Sequence, residues 1–89
     1  MSEVCREGSY RVIVFPNDHT PPHVHVFKKK GRGEGCSVKL TIEEKPQEIQ
    51  IYGDMTDKEV KKAKKIVAAN LQDCLAKWEK FHGTQQDQN

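Results

Sequence analysis

A change of period at residue 56 constrains this chain more than any other feature. Up to Tyr52, apolar residues tend to alternate with polar ones; from Thr56 they recur every three or four positions. The first pattern belongs to half-buried strands and the second to an amphipathic helix. Alternation marks Tyr10 to Phe15, His23 to Phe27, Cys36 to Ile42 and Glu48 to Tyr52 as four strands. The turn-rich stretch from Pro16 to Pro22, the glycines at 31, 33 and 35, and Lys45-Pro46 separate them. Val60, Ala63, Val67, Leu71, Cys74 and Trp78 form the helical stripe. Thr56 with Glu59 makes a capping-box pattern at its start and Gly83 a stop at its end, so the spacing predicts one helix over roughly 56–82.

The expected fold is therefore α+β: a four-stranded antiparallel sheet (β-β-β-β-α) with one long C-terminal helix packed on one face. At 89 residues with 35% hydrophobic content, the chain supports one core only. A single domain over 1–83 is expected, with 84–89 a disordered polar tail. No window approaches a membrane span, and Glu3, Arg6 and Glu7 stand where a secretory leader would be apolar, so a cytosolic protein without membrane contact is expected. Cys5, Cys36 and Cys74 lack CxxC spacing and read as reduced, inert thiols. Fifteen basic residues against 13 acidic give a net charge of +2, too small to announce a nucleic-acid protein by itself.

One helix covers one side of such a sheet. If Val24, Val26, Val38, Leu40, Ile49 and Ile51 face it, the other side carries His23, His25, Phe27, Ser37, Lys39, Gln50 and Tyr52. The first strand is apolar on both sides, and Ile13 and Phe15 fall with Phe27 on the open face. Covering these three residues predicts a homodimer interface with histidines at its border.

Three of the four histidines lie between Asp18 and Val26. His23 and His25 project from one face about 6.6–6.8 Å apart along the strand, close enough to converge on one ion. Asp18, His19, His23 and His25 are thus candidate ligands for zinc, in an open site that would suit hydrolysis. His82 is read instead as favourably placed at the helix C-terminus. Two basic clusters, Lys28, Lys29, Lys30 and Arg32 on a loop and Lys58, Lys61, Lys62 and Lys65 on the outer helix face, are candidate nucleic-acid contacts.

The segment Asp18-His-Thr-Pro-Pro-His-Val-His-Val26, with Ile51-Tyr-Gly53 and the Trp78 to Gly83 helix end, resembles a bacterial family known as domain of unknown function 4160. The likeness runs from about Tyr10 to Gly83. It implies a small α+β protein of prokaryotic, toxin–antitoxin style, without an assigned activity. The favoured reading from sequence is a non-enzymatic interaction module contacting RNA or a partner protein. A histidine-based metal-binding protein with hydrolytic activity is the alternative.

Overall fold

The computed structural model describes residues 2–31 and 35–82; Arg32 and the 84–89 tail fall outside them. Five strands form one antiparallel meander in chain order: β1 (Ser2–Glu7), β2 (Tyr10–Val14), β3 (His23–Lys28), β4 (Cys36–Thr41) and β5 (Glu48–Tyr52). Two helices follow, α1 (Asp57–Ala69) and α2 (Leu71–His82). The α+β class and antiparallel sheet agree with the sequence. The strand count and the single long helix do not.

The extra strand is β1, which pairs with β2 through the Gly8–Ser9 turn, where Gly8 takes φ +58°. A left-handed position of this kind suits glycine in a two-residue hairpin. β1 escapes the alternation rule because it is a charged edge strand, interrupted by a bulge between Glu3 and Cys5. Such features blunt an edge that would otherwise template foreign strands. Glu3 ties β1 to β2 by accepting from Arg11 at 3.0 Å, and it also accepts from Arg6 of its own strand at 2.9 Å.

The helix divides at Asn70, whose backbone leaves helical geometry at φ −120°, ψ 30°. Its N–H donates to both Ile66 and Val67 carbonyls, and its side-chain amide to the Ile66 carbonyl at 2.8 Å. These bonds end α1, while Cys74 N–H donates to the Asn70 carbonyl and opens α2. The apolar stripe runs through the break without losing phase, which is why periodicity alone shows one helix. The break serves packing: α1 lies over β4 and α2 over β1 and β2. A straight helix from Asp57 to His82 would measure about 39 Å, against about 19 Å between the outer strands of the sheet. The Thr56–Glu59 capping box is present.

Val12, Val14, Val24, Val26, Val38 and Leu40 are fully buried between the sheet and the helices, joined by Ala63, Val67 and Cys74. β2, apolar on both sides, lies between β1 and β3. Ile13, on the open face, is only 2% exposed because it lies among its own neighbours Phe15, His25 and Phe27. It is therefore not a side chain left in water; Phe15 and Phe27 beside it are half-buried. Ile49 departs the other way. A bulge pairs Lys39 with Gln50 and Leu40 with Glu48, leaving Ile49 unpaired and 43% exposed rather than turned to the helices. No helix among the described residues is long and apolar enough to cross a membrane.

Candidate metal centre

The site is built by the β2–β3 connection folding back on the start of β3. Asp18 N–H donates to the Phe15 carbonyl at 3.2 Å, closing a turn that directs the Asp18 side chain toward the strand. The Thr20–Pro21 peptide is cis. The Pro22 carbonyl accepts from Ile42 N–H at 3.2 Å, fastening the loop to the end of β4. His23 and His25 then leave β3 on one side, as strand alternation requires.

The Pro21 carbonyl lies 2.8 Å from His23 Nδ1. A carbonyl only accepts, so Nδ1 carries the proton and Nε2 of the neutral ring presents a lone pair. That Nε2 is 3.2 Å from Asp18 Oδ2, and His25 Nε2 is 3.3 Å from the same oxygen. The three atoms lie within 4.8 Å of one another. All three are buried, and none has a hydrogen-bond partner of acceptable geometry. Burial pushes the His25 imidazole below its ordinary value, helped by His23 and Lys39 and opposed by the Asp18 carboxylate. His25 is accordingly neutral at physiological pH.

Aromatic rings hold both histidines. Phe15 meets His25 edge-on at 4.8 Å and Phe27 stacks on it at 6.4 Å, while His23 lies 5.2 Å from His25 and 5.4 Å from Trp78 of α2. Trp78 is stacked in turn on His82 at 3.8 Å. His82 occupies the last turn of α2, and its buried Nε2 has no partner.

Of the four ligands expected from sequence, Asp18, His23 and His25 come together. His19 does not join them; it is exposed on the loop and lines a neighbouring pocket of about 300 Å³ with Asn17, Thr20, Pro21, Lys39 and Ile49. Asp18 and His23 form the shared wall of that pocket. Lys39 is the cross-strand neighbour of His25 and gives the pocket a positive charge. The roles of Ile49 and Trp78 were not readable beforehand: one depends on a bulge, the other on how α2 meets the sheet.

The basic residues do not make one surface. Lys30 pairs with Glu59 at 2.8 Å and Lys62 with Glu7 at 2.7 Å, while Lys28 lies over the Tyr10 ring at 5.3 Å. Lys29, Lys58, Lys61 and Lys65 are exposed. The thiols agree with the inert reading. Burial raises Cys5 and Cys36 and pushes Cys74 up to about 12.

No curated protein and no solved structure matches the chain. A family model described as Domain of unknown function (DUF4160) matches residues 9–79, from the turn before β2 into α2 just past Trp78, and so takes in Asp18, His23 and His25. The chain belongs to the DUF4160 family.

Proposed function

We propose that this protein binds one divalent transition-metal ion of the zinc class through Asp18 Oδ2, His23 Nε2 and His25 Nε2. The supporting observation is the convergence of these three buried, unpartnered atoms. The His23 Nε2 lone pair and the Asp18 carboxylate oxygen, 3.2 Å apart, repel unless a cation or a proton lies between them. A tetrahedral ion about 2.0–2.1 Å from its ligands sets them about 3.3–3.4 Å apart; the two separations from Asp18 are 3.2 and 3.3 Å, and the two imidazole nitrogens lie within 4.8 Å of each other. The Nδ1–H to carbonyl bond of His23 is the outer support that metal-ligating imidazoles use to fix their tautomer. A purely hydrogen-bonded network fits less well: His23 can donate to Asp18 only as a doubly protonated, buried cation.

Three protein ligands beside a pocket describe an open centre rather than a closed structural one. The ion would supply Lewis acidity to a water or an anionic ligand there, the chemistry of hydrolysis. Lys39 would hold an anion in the pocket.

Calorimetric titration of the metal-free chain with zinc is the test, alongside thermal melting. One equivalent per chain is expected. At a hundredfold excess over Kd the folded state gains about 2.7 kcal/mol, or about 10–20 °C in Tm for a domain of this size. His23→Gln and His25→Gln should abolish the effect and His19→Gln should keep it. A chain with no binding heat and an unchanged Tm would overturn the proposal.

A further inference from the structure

The open sheet face carries a second feature, independent of the ion. A groove of about 620 Å³ runs across β2, β3, β4 and the end of β5, with Ile13 and Ser37 in its floor. Pairing places Arg11, Phe27, Ser37 and Tyr52 in one row across four neighbouring strands. Ser37 is small and buried, so the rings of Phe27 and Tyr52, about 9–10 Å apart at two strand spacings, stand on either side of a trough. Phe15 meets Phe27 edge-on at 6.4 Å and extends the aromatic wall. Tyr52 is 40% exposed. Gly53, at φ +79°, ends the strand beside it, and a Cβ there would meet Cys36 Cβ at 3.2 Å.

The charge of the groove selects its occupant. Lys29 is exposed beside it and Arg11 lines it while shared with Glu3 of β1; the Lys28 ammonium lies over the Tyr10 ring, and none of the lining residues is acidic. A second copy of the chain placed face to face would bring a second set of these cations toward the first. A polyanion with flat apolar faces satisfies both the rings and the cations. We infer that this face binds single-stranded nucleic acid, with unpaired bases against Phe27 and Tyr52 and phosphates at Arg11 and Lys29. Stacking of this kind tolerates any base, and phosphate contacts make it salt-sensitive. A duplex hides the base faces the rings require. The helix lysines, on the far side of the molecule, take no part.

The test is fluorescence anisotropy of a labelled twelve-nucleotide oligouridylate against the metal-free chain, at about 50 and 200 mM salt. Saturable binding is expected, weaker for a duplex of equal length. Tyr52→Ala should weaken it at least about fivefold, the low end of the stacking range, while Tyr52→Phe keeps the ring and the affinity. Lys29→Gln should lower the slope of log affinity against log salt by about 0.7. The triple change Lys58→Gln, Lys61→Gln, Lys65→Gln should leave affinity within twofold. Melting curves confirm that each variant folds. The inference is overturned by absence of saturable binding at low salt, by affinity indifferent to Tyr52→Ala, by loss on changing the helix lysines instead, or by a dimer in sedimentation that covers Tyr52.

Discussion

His23 in its neutral form presents its Nε2 lone pair because one backbone carbonyl, that of Pro21, accepts a hydrogen bond from Nδ1–H. Single atoms of this kind decide the chemistry of the molecule, and burial decides it for the thiols. Cys74 is fully buried, with its thiol pushed up to about 12. In a Cys5→Ser, Cys36→Ser chain, iodoacetamide at about pH 8 should therefore leave Cys74 unmodified until denaturant opens the fold; reaction at the rate of a free thiol would contradict its placement. At this scale the sequence was legible where chemistry is crowded. Three histidines beside an aspartate announce a site, and alternation puts two of them on one side. It could not separate His19 from His23, because the path of an irregular loop has no period. Nor could it place Ile49, since a bulge shifts every later residue by one position without a marker in composition.

The start of α1 shows how one element is held by another. Glu59 Oε1 accepts from the Thr56 N–H at 2.9 Å and from Lys30 Nζ at 2.8 Å, joining the β3–β4 loop to the helix. The Lys30 ammonium and the Thr56 backbone together lower the Glu59 carboxyl to about 2. A depressed folded-state pKa contributes stability above the unfolded value and loses it as pH falls through the folded one. Glu59→Gln can still accept the capping bond but carries no charge. Its Tm should fall below that of the unchanged chain at about pH 6, and the two should converge on acidification to about pH 2. A gap of constant width would show that the Lys30 pair contributes nothing. The capping box was legible because its spacing is fixed by one helical turn. β1 was not, because an edge strand succeeds by carrying charge, and that erases the alternation that identifies strands. The division at Asn70 was hidden for a related reason: the buried stripe needs to stay in phase for both helices to face the same sheet.

For the molecule as a whole, the two sides of the sheet have separate work. One is closed by α1 and α2 and holds nearly all the apolar core; the other keeps the aromatic groove open, and Asp18, His23 and His25 meet where the β2–β3 loop, β3 and Trp78 of α2 come together. An ion bound there would tie the loop to the strand and stabilise a fold whose core is small, since binding to the folded state alone adds to its stability. The class of the fold follows from the two periods in the sequence, whereas the corner where loop, strand and helix meet is a product of tertiary packing. Anomalous diffraction at the zinc edge, from crystals grown with one equivalent of zinc, tests the account most directly. It predicts one peak about 2.0–2.2 Å from Asp18 Oδ2, His23 Nε2 and His25 Nε2. Zinc found only elsewhere, with these three side chains bonded to one another and no density among them, would contradict it.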